Sequence, residues 1–519
     1  MANGRVVHTV ADRAVHGAVH RAVHSVAPRA VPAADTTLGS RQVAAMLPAQ
    51  VLARPGYRSL ADALRTLILD GRIALHVRLP AERELAEALG ASRATVTGAY
   101  DLLRGSGYLR SRRGSGTWTE LPEGHGPVGA HLPTAGSGAR AGGEAGIDLA
   151  IAAMGAPEDS LAEALAWAVP RLPALARSPG YHPFGLPDLR AAVADRFTRR
   201  GLPTRPEQIL VTAGAQQAFA LVVSLLCRPG DRVLTESPTY ANALDALRHA
   251  RLRTGSVPVS DAGWDMETAE SALHRTLPRL AYTIPDFHNP TGALMPEEHR
   301  LRLLSATRAT GTWLVVDETI ADIALDVPAP APLASLAPRS GADHVITIGS
   351  LSKSHWGGLR VGWIRATARL VNELTAVRVS ADMTGSVLDQ VVALPLLGGL
   401  DRHLPRRLAE LRVRRAALVG SLERHAPEWS WRLPPGGLSL WVDLREPVSS
   451  ALAERAAAAG VHIGRGARFG VDPGTFEHRL RIPYTLPPDR LDEGVHRLAA
   501  AFHDGVPLAP AVERPYWVA

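Results

Sequence analysis

The chain has 519 residues, 46% of them hydrophobic and 21% charged, with a net charge of +7. That is enough length for two or three domains and enough apolar content to exclude wholesale disorder. A single cysteine, Cys227, excludes an intramolecular disulfide. No uncharged apolar run reaches the roughly 18–20 residues of a membrane helix, and the start lacks a signal peptide's apolar centre, so the expectation is a soluble, cytoplasmic protein.

Residues 1–50 are rich in Ala, Val, His and Arg and read as a leader, disordered in large part. Within it His16, His20 and His24 recur every fourth residue. On a helix they would share one face with metal-ligand spacing, although such a repeat also reads as plain composition.

Residues 51–120 are compact and basic, with 11 arginines against 7 acidic residues, a net of +4. YRSLADALRTLILDGRI places Leu60, Leu64, Leu67 and Ile68 on one helical stripe, with Gly71 as its stop. LPAERELAEALG predicts a second, short helix from Pro80 to Gly90. Ser92 caps a third, SRATVTGAYDLLRGSG, whose Val96, Tyr100 and Leu103 face inward. Two short helices about a three-residue turn form a helix-turn-helix. YLRSRRGSGTWT then predicts a β-hairpin wing with Arg112, Arg113 and Gly114 at its tip. The third helix would enter a DNA major groove by its N-terminal end. Arg93 is the longest donor there and suits a guanine edge; Ser92, Thr95 and Thr97 can bond phosphates or bases. Arg83 and the wing arginines would neutralise phosphates. Periodicity alone would equally allow a small helical protein-interaction domain. The wording RLPAERELAEALGASRATVTGAYDLLRGSGYL…RRGSGTW closely resembles the winged helix-turn-helix of the GntR family of bacterial regulators. That resemblance implies Arg83, Ser92, Arg93, Thr95, Thr97 and Gly114 as DNA contacts.

Residues 121–147 are dominated by Gly, Ala and Pro without periodicity and read as a flexible linker. From 148 to 505, apolar runs such as QILVTAG, DRVLTE, TWLVVDE and HVITIGS alternate with amphipathic helices, predicting an α/β domain with a mainly parallel sheet. Residues 506–519 read as a tail.

The basic residues are almost all arginine; Lys353 is the one lysine in the chain. It follows a strand, within a Ser/Gly-rich turn. A lysine amine can form a Schiff base with a carbonyl cofactor. Ser350 and Arg360 stand near it in sequence and suit a phosphate dianion. In VTAGAQQA, Ala215 and Gln216 open a helix and would offer N–H groups and the helix dipole to the same phosphate. Tyr240 of ESPTY can stack on a pyridine ring, and the Asn289 amide of FHNPTG can donate to a phenolic oxygen. Asp317 ends the strand WLVVDE, where a carboxylate can pair with a protonated ring nitrogen or simply cap a helix. Arg481 of HRLRIPYT can grip a carboxylate in bidentate fashion.

This order of motifs resembles the fold type I pyridoxal-phosphate enzymes of the aspartate aminotransferase family. The resemblance implies pyridoxal 5′-phosphate as cofactor, Lys353 as its Schiff-base lysine and Asp317 as partner of the pyridine nitrogen. It implies Asn289 at the ring oxygen and Tyr240 stacked on the ring. Ala215, Gln216, Ser350 and Arg360 would hold the phosphate, with Tyr181 of GYHPFGLPDLR reaching in from a second subunit. Arg481 would take a substrate or effector carboxylate. The family often has a tyrosine two or three residues after the aspartate, where this chain has Thr319 and Ile320. A GntR-type head on such a domain is the layout of the MocR subfamily. That implies a head-to-tail homodimer, operators with repeated half-sites, and control of genes for vitamin B6 or for amine and amino-acid metabolism. The rival is a working aminotransferase that carries a DNA-binding domain.

Overall fold

A computed structural model describes residues 37–112, 116–122, 146–337 and 342–504. The three leader histidines, wing residues Arg113 and Gly114, nearly all of the linker and the tail lie outside the described residues.

The N-terminal head begins earlier than composition suggests. Helix α1 (Ser40–Met46) lies within the stretch read as leader and α2 (Ala49–Ala53) crosses its end, and Val43 and Leu47 are buried in the head's core. Helices of five and seven residues span too few turns for an apolar period to show. α3 (Tyr57–Leu69) carries the expected stripe, with Leu60, Leu64, Leu67 and Ile68 all buried. It is capped by Asp70, and Gly71 turns the chain at φ +65°. After β1 (Arg78–Leu79) comes α4 (Glu82–Leu89). Pro80 stands just before its N-cap, Ala81, rather than in its first turn, and the Pro80 carbonyl accepts the Tyr100 hydroxyl at 3.0 Å. Gly90 closes α4 at φ +60°. Ser92 then caps α5 (Arg93–Gly105), its Oγ accepting from the Thr95 N–H at 3.1 Å. β2 (Leu109–Arg112) and β3 (Gly116–Thr119) form the expected antiparallel wing. β1, which no alternating pattern signals, adds a third strand by pairing Arg78 with Trp118.

The large domain is built on an eight-stranded sheet. Its strands are β5 (Ile209–Thr212), β6 (Arg232–Ser237), β7 (Arg253–Ser260), β8 (Gly263–Trp264), β9 (Leu280–Thr283), β10 (Trp313–Asp317), β11 (Val345–Ser350) and β12 (Gly362–Arg365). The order across the sheet is β5-β12-β11-β10-β9-β6-β7-β8. The central pairings β11–β10–β9–β6–β7 are parallel, while β12 runs against both its neighbours. Such strands are covered on both faces and read as continuous apolar runs. Alternation still sorts them: Leu314, Val316 and Val345 join one core, while Leu210, Val315, Ile346 and Ile348 join the other. α6 (Ala215–Leu226) covers the second face with Phe219 and Val222.

A smaller sheet of order β13-β14-β16-β15-β4 completes the C-terminal part. It comprises β4 (Ile147–Leu149), β13 (Ser430–Trp431), β14 (Ser439–Asp443), β15 (Val461–Arg465) and β16 (Arg479–Pro483). β4 comes from the far end of the linker and pairs parallel to β15, so residues 150–152 are delivered between the two sheets. The head rests on the loop before β16. The Phe476 N–H donates to the Leu69 carbonyl at 2.8 Å, and His478 Nε2 lies 3.0 Å from Asp70 Oδ1.

Candidate cofactor site and DNA-reading face

The site forms at the C-terminal edge of the parallel strands, where ligands of open α/β sheets gather. On each strand the last residue continues the alternation of the second core face. Leu210 is followed two residues on by Thr212, Val315 by Asp317 and Ile348 by Ser350. The apolar interior thus ends in a row of polar groups beside the start of α6.

Lys353 lies in the turn after β11, partly buried, and its Nζ donates to the Ala152 carbonyl at 2.9 Å. Burial, then the Arg481 cation, pull its ammonium down to about 8, against the opposing attraction of Asp317. The amine is therefore far easier to deprotonate than a surface lysine, as a nucleophile towards a carbonyl requires. Asp317 is buried, with Oδ1 accepting from the Thr319 N–H at 2.9 Å and Oδ2 from the Tyr282 hydroxyl at 2.8 Å. Burial raises its carboxyl; the bonds from Thr319 and Tyr282 and the charge of Lys353 oppose that rise without cancelling it.

Arg481 is fully buried at the centre of β16. One guanidinium nitrogen donates to Asn289 Oδ1 at 3.2 Å and the other to the Ala150 carbonyl, and the Phe469 ring lies under it at 5.1 Å. Burial lowers it to about 10, with Tyr240 and Asp148 pulling the other way. Because Asn289 accepts through its oxygen, its amide nitrogen remains the donor for the site. Tyr240 caps the next helix; its phenol accepts from Asn242 Nδ2 at 2.8 Å and is pushed up to about 12, mainly by burial.

The residues expected on the phosphate side also lie close together. Ser350 Oγ donates to the Val361 carbonyl at 2.9 Å and accepts from the Ser352 N–H at 3.1 Å. Arg360 adopts the left-handed region at φ +49° and donates to the Ala213 carbonyl at 2.5 Å. Gly214, at φ +104°, lies between that arginine and α6; a Cβ there would stand 3.0 Å from Arg360 Nη2. Only glycine suits both the angle and the approach. Ala215 and Gln216 form the first turn of α6, and Gln216 Nε2 donates to the Asn242 carbonyl at 3.0 Å. Tyr181 projects from a loop, 62% exposed. The donor set fits a phosphorylated pyridine aldehyde: a lowered amine, a buried carboxylate, an amide donor, and a glycine-arginine cradle at a helix N-terminus.

Several participants escape sequence reasoning. Tyr282 lies in RLAYTIP, where it reads simply as a strand residue. The Ala150 and Ala152 carbonyls leave no side-chain signature. Phe469 is 12 residues from Arg481 and meets it only through the fold. Ile320 is buried and lines a cleft with Lys353, Asn289, Ala152 and Leu438. An aliphatic side chain therefore occupies one of the positions where the aminotransferase pattern often has tyrosine.

On the head, Arg83, Ser92 and Arg93 are exposed, and Thr95 is half-buried with its hydroxyl 2.8 Å from Ser92 Oγ. Thr97 turns inward: its hydroxyl donates to Glu82 at 2.7 Å, and Arg104 meets the same carboxylate at 3.0 Å. That bond joins the two helices of the helix-turn-helix. Arg112 ends β2 at the described edge of the wing.

Comparisons agree with both halves. Residues 152–498 match the family described as aminotransferase class I and II. Residues 56–118 match the bacterial regulatory proteins of the gntR family. The chain is 30% identical over 431 residues to the HTH-type transcriptional regulator YisV of Bacillus subtilis, covering 76% of this chain and 86% of that one. It is 29% identical over 481 residues to the probable rhizopine catabolism regulatory protein MocR of Rhizobium meliloti, covering 86% and 94%. Among solved structures it resembles LysN, an α-aminoadipate aminotransferase from Thermus thermophilus complexed with N-(5′-phosphopyridoxyl)-L-leucine. There the TM-score is 0.65 at 32% identity, covering 69% of this chain and 92% of that one. No helix among the described residues is long and apolar enough to cross a membrane.

Proposed function

The chain belongs to the aminotransferase class I and II family and, with its gntR-type head, to the MocR subfamily of transcriptional regulators, and from that premise we propose that its DNA binding responds to pyridoxal 5′-phosphate held on Lys353. The observation that carries this reading is one continuous path of contacts. The loop before β16 receives the head at Leu69 and Asp70 and also supplies Phe469 beneath Arg481.

In this reading Lys353 holds the cofactor covalently, Asp317 faces the ring nitrogen, Asn289 the ring oxygen and Tyr240 the ring face. Ala215, Gln216, Ser350 and Arg360 hold the phosphate, with Tyr181 of a second copy. The cofactor supplies a carbonyl that captures amines and a ring that withdraws electrons. Arg481 takes the carboxylate of an amino-acid effector. Arg83, Ser92, Arg93, Thr95, Arg112, Arg113 and Gly114 meet DNA. A ligand biases DNA binding only through unequal affinity for two states of the protein, and the docked head offers one such state. A head-to-tail homodimer would set the spacing of two half-sites. The regulated genes would serve vitamin B6, amine or amino-acid metabolism, in keeping with a relative named for rhizopine catabolism.

Footprinting on the DNA beside its own gene, with and without pyridoxal phosphate, tests this reading. Protection that changes with the cofactor is expected; the same footprint in both conditions would refute it. A second reading, a working aminotransferase, draws support from Lys353 and Asn289 lining one cleft, with Arg481 bonded to Asn289 and Asp317 buried nearby as the counter-charge of Lys353.

A further inference from the structure

We propose that Tyr282 is a positioning residue for Asp317, holding it ionised and aimed at the ring nitrogen of the cofactor. The inference rests on the reading above, that a pyridine ring is held over Asp317.

Tyr282 and Asp317 stand on adjacent parallel strands. Tyr282 pairs with Val315, so Asp317 lies two residues along on the same face. A tyrosine is long enough to cover that offset, and its hydroxyl meets Asp317 Oδ2 at 2.8 Å. The ring is 2% exposed and packs at 4.7 Å against Phe219 of α6, so it has no alternative direction. Oδ1 is fixed from the opposite side by the Thr319 N–H. Each oxygen thus has one fixed donor and keeps acceptor capacity for a further proton.

Burial works against this carboxylate. Desolvation favours its neutral form, and a neutral Asp317 would no longer hold a ring nitrogen protonated. Donors that bond the ionised form oppose that loss. Tyr282 supplies one of the two geometric donors, and it does so from a strand rather than a mobile loop. A purely structural role predicts something different: the hydroxyl would only be satisfying its own burial, and Asp317 would behave alike without it.

The test uses the full-length protein loaded with ring-15N pyridoxal phosphate. Tyr282→Phe is expected to move the nitrogen resonance towards the unprotonated position and to weaken cofactor affinity about tenfold, the scale of one hydrogen bond to a charged group. A lower melting temperature with an unmoved resonance overturns the proposal. Should Tyr282→Phe fail to fold, 3-fluorotyrosine placed at 282 keeps the shape. Its fluorine resonance should shift in the Asp317→Asn background, and an unshifted signal overturns the proposal equally. Wild-type protein that takes up no labelled cofactor overturns instead the function proposed above.

Discussion

His478 Nε2 lies 3.0 Å from Asp70 Oδ1, and three residues beyond His478 on the same stretch stands Arg481. The contact ties the end of α3, a core helix of the head, to the strand that carries Arg481, the residue proposed to take an effector carboxylate. Burial would raise the Asp70 carboxyl, but the hydrogen bond and charge of His478, with Arg479 and Arg72, more than offset it and leave it lowered. A carboxyl lowered on docking stabilises the docked state above its ordinary range near 4. That stabilisation is lost as pH falls through the lowered value. Asp70→Asn should cost docking about 1 kcal/mol. Hydrogen exchange in residues 70–79 should then quicken while the head stays folded, and DNA binding should respond less to the cofactor. Unchanged exchange would show that the contact does not hold the head.

Lys353 gives a second, independent pH signature. Its folded value, about 8, lies below the ordinary lysine value of 10.5. Between those limits the unfolded chain binds the proton and the folded chain does not, so the cofactor-free protein should gain stability as pH rises through that interval. At neutral pH the buried cation is a liability on the order of 2 kcal/mol, after discounting for partial exposure. Lys353→Met should therefore raise the melting temperature of cofactor-free protein at pH 7, with the advantage shrinking towards pH 10. Lys353→Ala should also abolish the near-visible absorption of lysine-bound cofactor. A melting temperature below wild type at every pH would overturn the first expectation, and retained absorption the second.

Much of this site was legible because its motifs are short and each falls where a strand ends. Asp317, Ser350 and Lys353 follow apolar runs that a buried parallel strand requires. Tyr282 was hidden because a tyrosine inside a strand is ordinary core, and only the register of β9 against β10 brings it to Asp317. The carbonyls of Ala150 and Ala152 were hidden because every residue has one. In the head, the stripe of α3 was visible over 13 residues, whereas α1 and α2 are too short to show a period. Thr97 is expected at DNA from its hydroxyl near the start of the third helix and from the GntR resemblance; in the structure Glu82, on the preceding helix, accepts that hydroxyl.

That difference separates two residues on α5. Arg93 is exposed at its first turn, and Arg93→Ala should weaken binding to the specific site by about 1–3 kcal/mol and relax the base preference there. Thr97→Val should leave DNA affinity nearly unchanged but destabilise the head by about 1 kcal/mol, since Glu82 loses a donor. Fluorescence anisotropy with operator and scrambled duplexes, alongside thermal melts, distinguishes the two. Equal loss of affinity in both variants would place the hydroxyl of Thr97 in the DNA contact after all.

The remaining question for the site is turnover. Catalysis by such a cofactor needs the ring oxygen and its neighbouring protons held in a defined state throughout the reaction. Asn289 offers a donor there, but Ile320 contributes only methyl groups to the cleft beside Lys353. The ligand can then be captured and sensed without being passed on quickly. Amino acid plus keto acid should give a single slow half-reaction, seen as one change in the cofactor spectrum, and little product beyond one equivalent per site. Sustained turnover at roughly 1–10³ per second, the ordinary range for enzymes, would mean that the aliphatic position does not limit the chemistry. Arg481→Ala discriminates further: it should weaken the response to amino acids more than the response to simple amines, because only amino acids offer that guanidinium a carboxylate.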